Sequence, residues 1–197
     1  MMKTLPLALC LALGLPAAGM AAPLPGMRGI DHVGLTVPDL DQAVAFFTDV
    51  LGCQLVTGFG PLADPKGSFM QDLLAVDPKA VIEKVGLMRC GFGANLELFQ
   101  YSAPGQATVF PRNSDIGGYH IAVNVDDIDA AVAYFDAKGV RHNWGPLAVT
   151  EGPTAGQSII YFYAPWGLQM EAISYPKGMA YEATSAVTLW SPAAPSK

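Results

Sequence analysis

Residues 32–47, HVGLTVPDLDQAVAFF, align without a gap on residues 120–135, HIAVNVDDIDAAVAYF. Eight of the sixteen positions are identical: His32, Val37, Asp39, Asp41, Ala43, Val44, Ala45 and Phe47 each meet the same residue type 88 positions on. A second matched pair follows downstream, where GANLELFQY at 93–101 and GLQMEAISY at 167–175 share their glycine, glutamate and tyrosine. Matches at two separate places in the same order identify two copies of one module.

Each copy has the same local code. From Ile30 to Val37 the residues alternate, with Val33, Leu35 and Val37 on one side and His32, Gly34 and Thr36 on the other, which is the period of a strand with one packed face. Asp39 is placed to cap a helix whose apolar stripe is Leu40, Ala43, Val44, Phe47 and Leu51, and Gly52 suits the residue just past its end. The second copy repeats this with Asp127, then Ile128, Ala131, Val132 and Phe135, then Gly139. Strands are expected after each helix: Gln54–Thr57, Val81–Arg89 and Asn95–Tyr101, then Arg141–Trp144, Gln157–Tyr163 and Leu168–Tyr175. The expected fold is α+β, two βαβββ modules at 29–101 and 118–175.

Strand parity sets where the polar residues point. His32 and His120 lie opposite the apolar faces of their strands, Glu97 shares a face with Asn95, Phe99 and Tyr101, and Glu171 with Gln169, Ile173 and Tyr175. Each module thus offers one histidine from its first strand and one glutamate from its last. Charges in otherwise uncharged strands need partners, and two imidazoles with two carboxylates suit one divalent ion: Ni, Co, Zn, Mn or Fe. The candidate metal ligands are therefore His32, Glu97, His120 and Glu171. His142 has no counterpart in the first module and reads as a surface residue.

The first 21 residues stand apart. One lysine precedes an apolar run from Leu5 to Leu15, and Gly19-Met20-Ala21 ends in small residues, the pattern of a cleavable export signal. The run is too short to span about 30 Å of hydrocarbon, so the expectation is a periplasmic or secreted chain, starting near Ala22, with no integral membrane segment after cleavage. The remainder divides into a domain at 22–176 and a tail at 177–197. With a formal net charge of −6 and 14% charged residues, the chain offers no basic footprint to nucleic acid. A small-molecule substrate is the expected partner, and a homodimer is compatible with the paired modules.

Two further features carry expectations. Cys53 opens one expected strand and Cys90 closes the next, so antiparallel pairing sets them side by side for a disulfide, while a one-residue shift of register leaves two free buried thiols. Residues 58–80 are an insertion in module one only, rich in Gly and Pro around Phe69, Met70, Leu73 and Leu74. It reads either as a lid swinging on Gly60 and Gly67 or as a static loop on the outer surface.

The stretches IDHVGLTVPDLDQAVAFFTDVLG, NLELFQY, GYHIAVNVDDIDAAVAYF and APWGLQMEAIS together resemble the vicinal oxygen chelate superfamily over about residues 29–176. This is the group of glyoxalase I, epimerases, extradiol dioxygenases and antibiotic-resistance proteins. The resemblance implies that the two modules form a curled mixed sheet around a central metal cleft, with its four ligand positions on His32, Glu97, His120 and Glu171. It also implies a divalent-metal-dependent lyase or isomerase acting on a small oxygenated substrate through a metal-stabilised enediolate, with Glu171 and Glu97 as the catalytic carboxylates. Thr36 and Tyr101 stand where glyoxalase I carries the arginine and asparagine that hold glutathione, so that clamp is missing. Three other readings stay open: an Fe(II) extradiol-type dioxygenase, for which Glu97 is surplus, a non-catalytic small-molecule binding or resistance protein, and a scaffold or interaction protein with a relic metal site.

Overall fold

The computed structural model describes residues 24–196; the expected export signal lies outside the described residues. Module one runs β1 (His32–Thr36), α1 (Leu40–Leu51), β2 (Gln54–Phe59), α2 (Phe69–Leu74), β3 (Val81–Arg89) and β4 (Asn95–Ser102). Module two runs β5 (Ile121–Asn124), α3 (Ile128–Lys138), β6 (Leu147–Ala148), β7 (Ser158–Tyr163) and β8 (Gln169–Ser174), before a short 3₁₀ turn at Ala180–Ala183. The strands form two mixed four-stranded sheets of matching order, β1-β4-β3-β2 and β5-β8-β7-β6. In each, the first strand pairs parallel with the last and the other neighbours pair antiparallel. Among the described residues no helix is long and apolar enough to cross a membrane.

The helices start and stop where their capping residues dictate. The Asp39 carboxylate accepts from Gln42 N–H, and Asp127 accepts from both Asp129 and Ala130 N–H. Gly52 and Gly139 close the helices at φ 70° and 66°, left-handed values that favour glycine. Behind the sheets lies one core shared by the modules, combining Leu35, Leu96, Leu98, Phe47, Phe135, Phe162, Met170 and Ala172. The modules meet there through α1. Phe46 and Phe47 pack against Trp166 of the β7–β8 turn, and the Tyr134 hydroxyl of α3 donates to the Asp49 and Val50 carbonyls at the end of α1.

Three local expectations need correction. Phe46, left out of the α1 stripe, is buried, because its partner Trp166 comes from the other module. β2 continues to Phe59, two residues past its expected end. Arg141–Trp144 is not a full strand: it follows β7 through a single bridge, His142 to Phe162, and the strand proper comes at Leu147–Ala148, after Pro146.

That bridge turns His142 toward α3, where Nε2 lies 3.1 Å from the Asp136 carboxylate and Nδ1 lies 2.8 Å from the Asn143 carbonyl. The carbonyl, then Asp136, raises its pKa above 6.5. A group whose folded pKa is raised adds stability that is complete below the unfolded value and fades as pH rises through the folded one. His142→Asn is therefore expected to lower the urea midpoint at pH 5.5 and to lower it less at pH 8.

Cys53 and Cys90 form a disulfide with Cα atoms 4.4 Å apart. The register that pairs Gln54 with Arg89 sets the residues just outside that pair beside one another. For a bridge closing a loop of 37 residues, the Cys53→Ser/Cys90→Ser double variant is expected to lose about 2–4 kcal/mol of stability. Thiol titration of the denatured wild-type chain lacking residues 1–21 is expected to find no free thiol.

Candidate metal centre

The sheet faces turned away from the shared core carry the residues picked out by parity. On sheet one, His32 Nε2 lies 3.1 Å from a Glu97 carboxylate oxygen; on sheet two, His120 Nε2 lies 2.9 Å from a Glu171 carboxylate oxygen. The two pairs are built alike because each joins the start of a module's first strand to the middle of its last. The structure assembles two His–Glu pairs rather than one cluster of four. Among the described residues, no group of three or more His, Cys, Asp or Glu side chains is arranged to hold one ion.

The pairs differ in their surroundings. Glu171 is nearly buried, with 9% of its side chain exposed, whereas Glu97 keeps 22%. His32 has a second carboxylate, its Nδ1 lying 2.8 Å from Asp31. That hydrogen bond, reinforced by the charges of Glu97 and Asp31, raises the His32 pKa against the smaller lowering effect of burial. A carboxylate on Nδ1 also fixes the ring and leaves Nε2 as the nitrogen facing the site, the usual support for a metal-binding imidazole. Asp31 precedes β1, which frees its side chain from strand alternation and lets it reach the neighbouring ring.

Sheet two adds a residue that sequence reasoning missed. Tyr161 on β7 sits directly across from Glu171 on β8, and its ring meets the His120 ring edge-on at 5.3 Å between centroids. Burial, then the charge of Glu171 and a hydrogen bond to it, raise the tyrosine's pKa. Its face also carries Tyr163, opposite Gln169, and Arg141, whose guanidinium lies 3.5 Å from the Tyr163 ring centroid. The matching face of sheet one is less polar. Gly34, Thr36, Phe99 and Tyr101 line a cavity of about 390 Å³ beside Glu97, closed on one side by Val76 from the insertion. Burial, followed by the charge of Glu97, raises the pKa of Tyr101.

The insertion lies on this site face of sheet one, not on the outer surface. Met70 of α2 is fully buried against Ala80, Ile82 and Val85, with Phe99 and Tyr101 packed around them. The two glycines expected to act as hinges sit where a side chain has no room. A Cβ at Gly67 meets the Asp64 carboxylate at 2.2 Å, and one at Gly60 meets the Glu83 carbonyl at 2.5 Å.

The donor set fits a divalent cation. As ligands, two imidazoles and two carboxylates would offer only nitrogen and oxygen donors with two negative charges, and each Nε2 already shares its space with a carboxylate oxygen. The model of the Glyoxalase/Bleomycin resistance protein/Dioxygenase superfamily matches residues 31–162. A 2-epi-5-epi-valiolone epimerase from Actinomyces sp is 45% identical over 170 residues, covering 86% of this chain and 91% of that protein. Among solved structures, a glyoxalase family protein from Bacillus cereus superposes with a TM-score of 0.59 at 17% identity, over 78% of this chain and 98% of that one. A glyoxalase family protein from Enterococcus faecalis gives 0.51 at 19% identity, over 75% and 98%. With the duplicated module, the two sheets and their His–Glu pairs, the match over residues 31–162 means that this chain belongs to the glyoxalase/bleomycin resistance/dioxygenase superfamily.

Proposed function

We propose that the chain is a divalent-metal-dependent epimerase that inverts a carbon next to the carbonyl of a small hydroxylated ketone. The observation that carries this reading is the pair of matched His–Glu units, one on each sheet, in a chain 45% identical to a 2-epi-5-epi-valiolone epimerase. Members of the superfamily bind divalent metals, and His32, Glu97, His120 and Glu171 would hold the ion here. A bound ion supplies Lewis-acid charge that lowers the cost of forming an anion beside a carbonyl. The chain's own part is proton transfer. One carboxylate, Glu171, takes the proton from one face of the carbon, and Glu97 returns one to the opposite face, so configuration changes with no net gain or loss of atoms or electrons.

The Tyr163 hydroxyl and the Gln169 amide suit a hydroxylated ligand, while Val76, Phe99 and Tyr101 line the other side. The dioxygenase reading leaves Glu97 idle, but Glu97 stands to His32 as Glu171 stands to His120, which favours four donors. One way to join the four is a partner chain. Within one chain the modules touch through α1, Tyr134 and Trp166 behind the sheets, so a homodimer in which sheet one of one chain faces sheet two of the other completes the cleft. Residues 1–21 direct export in this reading, and the Cys53–Cys90 bond suits an oxidising compartment.

The test is metal analysis together with turnover. Purified protein is expected to carry about one divalent ion per chain, one four-donor set being available per chain, and to interconvert 2-epi-5-epi-valiolone with an epimer. A chain that cannot be loaded with any divalent ion defeats the proposal.

A further inference from the structure

Glu171 and Glu97 occupy equivalent module positions but meet different residues across the sheet. Tyr161 stands opposite Glu171, and Leu87 stands opposite Glu97. A buried carboxylate needs hydrogen-bond donors. Beside Glu171 lie two groups, the His120 imidazole at 2.9 Å and, directly across the sheet, Tyr161, whose ring packs on His120. At Glu97 the aliphatic Leu87 supplies no donor, and the carboxylate keeps more than twice the exposure.

We propose that Tyr161 is a positioning residue for Glu171: its hydroxyl donates to the carboxylate that His120 also touches, holding that arm more tightly than Glu97, which has His32 beside it but only Leu87 across the sheet. The tyrosine's edge contact with His120 holds the imidazole of the same pair, so one side chain aligns both donors of sheet two. This makes the two halves of the site unequal despite their common origin. Sheet two would then hold its pair the more firmly, and sheet one would supply the less constrained carboxylate. The inference rests on the metal-dependent epimerase reading and adds the residue that sets its geometry.

The test compares wild type with Tyr161→Phe, which removes the hydroxyl and keeps the ring that packs on His120. Cobalt(II) alone is titrated into metal-free protein and followed by its visible absorption, and kcat and KM for 2-epi-5-epi-valiolone are then measured at saturating cobalt. Loss of a group that orients a ligand is expected to weaken cobalt binding by about 10–100-fold. Misaligning the carboxylate is expected to cost about 100-fold in kcat, with KM moving far less.

If packing were the tyrosine's contribution, phenylalanine would serve as well, and cobalt affinity and kcat within about twofold of wild type would overturn the proposal. A rise in KM with unchanged kcat and cobalt affinity would overturn it too, because the hydroxyl would then touch substrate rather than Glu171. Wild-type protein that binds no cobalt at all defeats the epimerase reading beneath it. Wild type that binds cobalt while Tyr161→Phe matches it defeats this inference alone.

Discussion

Glu171→Gln and Glu97→Gln are each expected to lower epimerisation by about 10²–10⁴-fold at saturating metal, the range for removing a positioned acid or base. Epimerisation needs both groups, since one takes a proton from the carbon and the other delivers one to the opposite face. The two variants should nonetheless differ in deuterium oxide. With Glu97 replaced, Glu171 still exchanges the proton on its own face, so the starting epimer becomes labelled without inverting. With Glu171 replaced, the opposite epimer is the one that labels. NMR of recovered substrate reads both outcomes. Full inversion at the wild-type rate in either variant would remove that carboxylate from the chemistry, and metal analysis of the same samples separates a lost proton carrier from a lost ligand.

Much of this site was legible in the sequence because strand alternation is a strict rule. Once Val33, Leu35 and Val37 were assigned to the core, His32 had to face the other way, and the same held for Glu97 between Leu96 and Leu98. The caps at Asp39 and Asp127 were equally readable, since each satisfies backbone groups within three residues of itself.

What failed was whatever depends on a second segment. Phe46 is buried by Trp166, some 120 residues away, and no helical period announces that partner. β6 exists through its pairing with Ser158 and Ile159, not through the preference of Leu147 and Ala148. Tyr161 could be placed on a strand, but its role follows from the register that sets it across from Glu171. The insertion was visible as an addition to module one, and only the packing of Met70 assigned it to the site face.

The same limit applies to the four donors as a set. The repeat picks out four candidates, whereas their meeting is a matter of how two modules face each other, and within one chain the modules join through the core behind the sheets. If the cleft closes between two copies, crippled chains should rescue one another. A chain with His32→Ala and Glu97→Gln keeps only its module-two pair, and one with His120→Ala and Glu171→Gln keeps only its module-one pair. Each alone is expected to lack both turnover and tight metal binding. Unfolded together and refolded as an equal mixture, half of the dimers pair unlike chains, and a twofold interface gives each of these one intact site and one empty of donors. Recovered activity is then about a quarter of wild type per chain, with the same fraction of tightly bound metal. Wild-type protein carried through the same refolding sets the scale. If instead each chain builds its own site, the mixture stays as inactive as its parts, and the homodimeric cleft is wrong even where the wild-type protein binds metal and turns over substrate.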